Sequence, residues 1–404
     1  MRTVQEGARL GEELADTADR ATAGAKTDIV LDVRHMTVEY AGASGAVRAV
    51  DDVSFALARG QILGLAGESG SGKSTLANAV ARLLRPPAHI VGGEVLYYPR
   101  PDADTGMGTD GGQDASEPER RPVDVLGLTA GDLRAFRWRR LSLVFQSAMN
   151  ALNPVLDIGT QITDVLQAHC PEMSRKSRQE RAAELLRLVG IAPDRARSFP
   201  HELSGGMRQR ATIAIALALH PEIIIMDEPT TALDVVVQQE ILAEITELRD
   251  RLGFSVIFIT HDLSLLLELA DRVAIMYAGR IVEMGSSAEL HQQPRHPYTN
   301  GLLNSFPKVR GPRTTLTGIP GSPPDLRSLP TGCAFHPRCA FAFDTCLRDT
   351  PELRPCASGA RSVACHLYDG PAACGAIDLS KPRPRSETPG ESVPAAPTGE
   401  SSCP

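Results

Sequence analysis

Lys73 and Ser74 close the run Gly67-Glu68-Ser69-Gly70-Ser71-Gly72-Lys73-Ser74-Thr75, which fits the pattern G-x-x-x-x-G-K-[ST]. Gly67, Gly70 and Gly72 let the main chain bend and come close to an anion. The N–H groups at the start of a following helix would then face that anion. Lys73 is placed to reach β- and γ-phosphates, and Ser74 to ligate Mg²⁺. A second pair able to do chemistry is Asp227-Glu228, which follows the nearly all-apolar run Glu222–Met226. Asp227 would hold Mg²⁺ through water, and Glu228 would polarise an attacking water as general base. The chemistry implied is nucleoside triphosphate hydrolysis.

The elements that must position these residues are legible around them. QILGLA (61–66) is a short apolar run of buried-strand type ahead of the glycines, and KSTLANAVARLL (73–84) has helical periodicity behind them. Residues 222–226 read as a strand buried on both faces of a parallel sheet. Ser204 is a cap for a helix expected to run to His220. Gly205 and Gly206 leave its first-turn N–H groups uncovered, so that positive potential points outward. Asp234 caps a further helix whose stripe, Val237, Ile241, Ile245, Leu248 and Leu252, belongs to the core and ends at Gly253. Strands are expected over 29–40, 47–57, 92–98, 141–146 and 256–260, and a hairpin over 271–285 turning at Ala278-Gly279.

With 404 residues the chain can hold two or three domains. Its net charge of −7 gives no pull toward nucleic acid. The apolar run Ala211–Leu219 is too short to cross a bilayer, and the N-terminus has no signal-peptide core. The chain therefore reads as soluble and cytoplasmic, with any membrane role exerted through a partner. Residues 1–28 read as a flexible tail. Residues 99–123 form a Gly-, Asp- and Pro-rich insertion with too little apolar surface to fold, and 370–404 form a Pro-, Ser- and Glu-rich tail.

The order of five motifs resembles the ATP-binding cassette family over about residues 30–290. They are the phosphate loop, Gln146 after the strand LSLVF, Leu203-Ser204-Gly205-Gly206-Met207, Asp227-Glu228 followed by Thr231-Ala232-Leu233-Asp234, and His261 after SVIFIT. Met207 replaces the commoner Gln of that signature. The resemblance implies an α/β fold: a RecA-like P-loop NTPase core, an antiparallel β subdomain and a helical subdomain at 147–203, all within a cassette spanning 29–288. It implies that Tyr40 stacks on adenine. Gly67, Ser69, Gly70, Gly72, Lys73, Ser74 and Thr75 would hold the phosphates of ATP. Gln146 would contact Mg²⁺ and the attacking water, alongside Ser74 and Asp227. His261 would reach the γ-phosphate and act in catalysis with Glu228 and Gln146. Ser204, Gly205, Gly206 and Asp234 would complete the nucleotide site of a second cassette.

Residues 289–369 resemble the C-terminal extension of oligopeptide and dipeptide importer ATPases, on HPYT (296–299), LTGIPGSPP (316–324) and LPTGC (329–333). This implies an ATPase subunit powering peptide uptake from the cytoplasmic face of the membrane. Its expected partners are a related cassette chain, two transmembrane permeases and an extracytoplasmic peptide-binding protein. Import of nickel, glutathione or another small solute is the alternative within the subfamily. A soluble non-transport cassette ATPase and an iron–sulfur regulatory module are the alternatives outside it.

Cys333, Cys339, Cys346 and Cys365 run C-x5-C-x6-C-x18-C in this extension. Clustered cysteines in a chain without a secretion signal point to metal ligands or thiols rather than disulfides. Zinc usually takes pairs spaced two to four residues apart, closer than these. Some relatives with the GCxFxPRC pattern hold a [4Fe–4S] cluster, and the resemblance implies one here. Cys356 is an extra thiol outside the pattern, and Cys170, Cys374 and Cys403 have no expected role.

Overall fold

Two sheets order the chain. The computed structural model describes residues 28–42, 45–100, 121–146, 151–231, 233–305, 318–356, 361–369, 377 and 379. Nearly all of both expected tails, most of the expected insertion, residues 147–150, Ala232, Cys374 and Cys403 lie outside the described residues.

Strand β1 (Ile29–Tyr40) pairs antiparallel with β2 (Val47–Ala58). Strand β3 (Ile62–Ala66) then leads through the glycine-rich loop into helix α1 (Lys73–Val80). Strand β4 (Ala88–Tyr97) returns to the free edge of β1, and the short β5 (Val123–Asp124) extends it. This makes an antiparallel sheet of order β2-β1-β4-β5. Helix α2 (Ala130–Phe136), capped by Thr129, leads to β6 (Leu141–Val144).

Helices α3 (Ile158–His169), α4 (Arg175–Leu188) and α5 (Gly205–Ala216) follow, each started by a side-chain cap: Asp157, Ser174 and Ser204. Next come β7 (Ile223–Asp227), α6 (Val235–Leu252), β8 (Ser255–Ile259), α7 (Leu263–Leu269), β9 (Arg272–Tyr277) and β10 (Arg280–Ser286). The second sheet runs β9-β3-β8-β7-β6 in parallel, with β10 antiparallel on β9. Every residue of β3, β7 and β8 is buried, as strands covered on both faces require. Alternate residues divide between two cores. Ile224, Met226, Val256 and Phe258 face the helices α3 to α5, while Ile223, Ile225, Ile257 and Ile259 face α1 and the antiparallel sheet.

Three boundaries differ from the expected ones by four residues each. α1 ends at Val80 rather than Leu84, because Arg82 is left-handed (φ 53°) and the Leu83 N–H reaches back to Asn78 O. α5 ends at Ala216 rather than His220, and His220 is itself left-handed (φ 52°) ahead of Pro221. β4 starts four residues before Gly92, because the length of β1 offers Tyr40 as a partner for Ala88. The β9–β10 turn is as expected: Ala278 and Gly279 both have positive φ (48° and 83°), the geometry a two-residue hairpin needs.

Beyond Ser286 come α8 (Ser287–Gln292) and α9 (Pro297–Asn304), then α10 (Asp344–Arg348), β11 (Arg354–Pro355) and β12 (Ser362–Val363). β12 pairs with β10 and β11 with β12, so the extension lengthens the sheet of the preceding domain. At the same junction Glu283, 0% exposed, accepts from Arg361 Nη2 at 2.6 Å and from the N–H groups of Arg295 and His296.

Candidate functional site

The glycine-rich loop joins the C-terminal end of β3 to the N-terminus of α1, at the edge where the parallel strands end. Gly67 (φ 149°) and Gly72 (φ 102°) are required by space as well as by φ. A Cβ on either would lie 2.2 Å from a carbonyl oxygen, that of Met276 or of Ala49. Ser69 and Gly70 form the exposed tip of the loop. Among the described residues no side chain caps α1, which leaves its first-turn N–H groups to the loop. The Lys73 ammonium curls back under the loop, donating to Gly67 O (2.7 Å), Glu68 O (2.9 Å) and Ser71 Oγ (3.3 Å). Burial holds its pKa below the usual lysine range, opposed by the carboxylates of Glu228, Asp227 and Glu68. Tyr40, at the end of β1, lies beside the start of α1 with its Oη 3.1 Å from Thr75 Oγ1.

Asp227 ends β7 directly opposite Ile259 of β8. Burial raises its carboxyl pKa, and a hydrogen bond with Ser74 pulls it down. Asp227 Oδ1 is buried with no hydrogen-bond partner among the described residues. Glu228 follows with a left-handed backbone (φ 47°), rare for a side chain of this size, and its N–H is tied to Ile259 O at 2.9 Å. Gln146 Nε2 and Thr231 Oγ1 each donate to Glu228 Oε2 at 3.1 Å, and His261 Nδ1 lies 3.5 Å from Glu228 Oε1. Lys73, Ser74, Gln146, Asp227, Glu228 and His261 thus form one site at the ends of β3, β6, β7 and β8. The contact with Thr231 was not expected; its only local signal is a hydroxyl three residues after the carboxylate.

Ser204, Gly205 and Gly206 form a second group, with no hydrogen bond to the first among the described residues. Ser204 Oγ accepts from the Met207 N–H at 3.3 Å, and a Cβ on Gly206 would lie 2.7 Å from Val237 Cγ1. Asp234 Oδ1 accepts from the Val237 N–H at 3.0 Å, so the starts of α5 and α6 adjoin.

In the extension Cys333, Cys339, Cys346 and Cys365 line one void of about 10 Å³ with His296, His336 and His366. They come from separate segments of chain, and none is in a disulfide. Burial pushes the Cys333 thiol up to about 11 and raises those of Cys346 and Cys365 as well. Among the described residues no three His, Cys, Asp or Glu side chains are grouped to hold a metal ion. The expected metal site is therefore a gathering of thiols, without a formed coordination set. Cys356 packs apart from the void, with Val363 and Tyr368.

The two sites touch, which no motif announced. The Glu68 N–H of the glycine-rich loop donates to Tyr298 Oη of α9 at 2.9 Å. The Glu68 carboxylate accepts from both ends of the Arg338 guanidinium, at 2.6 and 3.0 Å. Tyr277, Tyr298 and Phe335 pack ring on ring behind this contact.

No helix of the described residues is long and apolar enough to cross a membrane. The profile of the ABC transporter family matches residues 50–231, and that of the oligopeptide/dipeptide transporter C-terminal region matches 282–346. A protein described as a probable peptide ABC transporter ATP-binding protein of Sinorhizobium fredii is 42% identical, over 86% of this chain and 97% of its own. The dipeptide transport ATP-binding protein DppD of Caldanaerobacter subterraneus is 37% identical over 84% and 98%. The oligopeptide transport ATP-binding protein OppD of Bacillus subtilis is 40% identical over 80% and 85%. A dimeric ATP-binding cassette solved in a post-hydrolysis state with ADP and Pi superposes with a TM-score of 0.52. It is 26% identical and covers 64% of this chain and 98% of that one. A cassette core carrying this extension, with relatives matched along almost their whole length, places the chain in the family of ATP-binding subunits of oligopeptide and dipeptide ABC transporters.

Proposed function

We propose that the chain hydrolyses ATP to power uptake of di- and oligopeptides, working on the cytoplasmic face of the membrane. The observation that carries the chemistry is the convergence of Gln146, Thr231 and His261 on Glu228, beside Lys73 and the Ser74–Asp227 pair. The residues fit ATP and Mg²⁺. Gly67 and Gly72 take positive-φ turns where a Cβ would strike the Met276 or Ala49 carbonyl, so the loop holds its bend only with glycine there; among the described residues α1 has no side-chain cap and a buried Asp227 oxygen lacks a partner. Residues 67–75 would hold the phosphates, with Tyr40 against the base. Ser74, Asp227 and Gln146 would hold Mg²⁺, which neutralises phosphate charge when bound. Glu228 orients water and takes its proton, while Gln146 and His261 fix the carboxylate.

Ser204, Gly205, Gly206 and Asp234 stand as a group apart from the phosphate loop. They would serve the nucleotide of a second cassette, here a related chain. Two permeases would dock on the helical domain, and an extracytoplasmic peptide-binding protein would deliver the solute. The peptide assignment is supported by the extension and by the names of the relatives. Reconstitution with the neighbouring-gene permeases and binding protein tests it. Labelled di- and oligopeptides should enter vesicles with ATP and not with a non-hydrolysable analogue. Uptake of nickel or glutathione in place of peptides would refute the peptide reading.

Cys333, Cys339, Cys346 and Cys365 supply the donor type of a [4Fe–4S] cluster and line one void, and binding would have to draw them into a coordination set. Such a cluster takes one thiolate per iron, so its ligands stand wider apart than four ligands on one zinc. When bound, it would cross-link a segment rich in Pro and poor in regular structure. The role assigned to it is structural.

A further inference from the structure

We infer that Arg338 is a positioning residue for nucleotide binding: it holds the carboxylate of Glu68 away from the phosphate site and neutralises it. The inference rests on reading residues 67–75 as the phosphate cradle. Glu68 is the second residue of that loop, and its own carbonyl accepts from the Lys73 ammonium at 2.9 Å. An unpaired carboxylate here would repel the phosphates that the loop is shaped to hold.

The geometry holds Glu68 from two sides. Its N–H is fixed by Tyr298 Oη, on a ring that is 0% exposed. Its two carboxylate oxygens are taken by the two arms of Arg338, the fork geometry that fixes direction as well as charge. Arg338 is in turn immobilised. It donates to Pro320 O at 2.8 Å and to Tyr277 Oη at 3.4 Å, and its guanidinium lies 5.9 Å from the centroid of the Tyr277 ring. It ends the one-turn 3-10 helix His336–Arg338, which runs directly into Cys339 and begins three residues after Cys333. Cys333 O accepts from the His336 N–H, and the Cys339 N–H donates to His336 O. The extension thus reaches the nucleotide site through the Tyr298 hydroxyl and through a buried cation, Arg338, 270 residues along the chain from its partner.

The test is a cycle of variants in the full-length chain, with affinity for Mg·ATP read by calorimetry. Arg338→Ala should weaken binding about tenfold, the scale of one partly screened like-charge repulsion. Adding Glu68→Gln to Arg338→Ala should restore affinity to within about threefold of wild type, because the offending charge is gone. A merely structural role for Arg338 predicts no such rescue. If Arg338→Ala does not fold, Arg338→Gln keeps a hydrogen-bonding head without the charge and reads the same cycle. Wild-type affinity in the single variant, or a double variant as weak as the single, would overturn the inference. Lys73→Ala, measured in parallel, separates the two readings. If it binds Mg·ATP like wild type, the phosphate cradle itself is misassigned.

Discussion

Gln146 and Glu228 are joined by a hydrogen bond of 3.1 Å across the ends of two adjacent parallel strands, although 82 residues separate them in sequence. The pairing of β6 with β7 brings them together, and Glu228 meets the glutamine from a left-handed backbone (φ 47°). Removing the charge while keeping the shape tests the role this implies. Glu228→Gln should bind Mg·ATP as wild type does and lose turnover by roughly 10²- to 10⁴-fold. It should also trap an ATP-bound pair of cassettes. Wild-type turnover of this variant in the assembled transporter would refute Glu228 as base.

Val155, 75% exposed, and Phe145, 47% exposed, flank the ends of the segment that follows Gln146. Large apolar side chains left in water at the junction of the catalytic strand and the helical domain suit a protein partner. Val155→Glu should leave ATP binding by the isolated chain unchanged and abolish coupled uptake with the permeases. Unimpaired uptake and assembly would count against this face.

The cysteines yield a metal-removal prediction. Anaerobic purification should give a brown protein with roughly four irons per chain. Chelation of the iron should leave the core intact and increase proteolysis within 318–369. Colourless protein with stoichiometric zinc, or with titratable thiols and no metal, would exclude the cluster.

Much of the catalytic centre was legible because its residues lie at element ends with local signatures. Asp234 and Ser204 were readable as caps, and both accept from the N–H three residues on. Ala278-Gly279 was readable as a hairpin turn because two adjacent positive-φ residues are needed there. The Arg338–Glu68 pair was not legible, since two charged residues in separate loops have no period or spacing that announces a contact. The junction of β12 with β10 was missed for the same reason: two residues of strand carry no pattern of their own. Helix ends at Val80 and Ala216 were overrun because apolar residues continued past them, in turns that tertiary packing decides.

The buried pair Glu283–Arg361 fixes that junction, and breaking it leaves a charge stranded. Glu283 has no exposure and also receives the Arg295 and His296 N–H groups, so Arg361→Ala uncovers a carboxylate that water cannot reach. A loss of about 3–5 kcal/mol is expected, seen as a lower denaturation midpoint and early proteolysis of the extension. Glu283→Gln with Arg361→Met should be milder than either charge deletion alone. A single deletion within about 0.5 kcal/mol of wild type, the range of ordinary surface substitutions, would refute the anchoring role.

His296 makes the docking of the extension sensitive to acid. It is 1% exposed, and its Nδ1 accepts from the Tyr298 N–H at 3.0 Å, so it caps α9 in the neutral form. Burial pushes its pKa from the ordinary 6.5 down to about 3. The folded chain therefore refuses a proton that the unfolded chain accepts. Stability is complete above pH 6.5 and is lost as pH falls from there toward 3, by up to about 1.4 kcal/mol per pH unit. Below that window the folded state takes up the proton as well, and this site contributes no further slope. His296→Asn keeps a capping acceptor and removes the titration. It should be less stable than wild type at pH 7.5, where the smaller side chain leaves a gap, and should close that difference as the pH approaches 5. Urea midpoints of the full-length chain measured across this range test it. Parallel pH profiles for the two proteins would show that His296 does not carry the acid sensitivity.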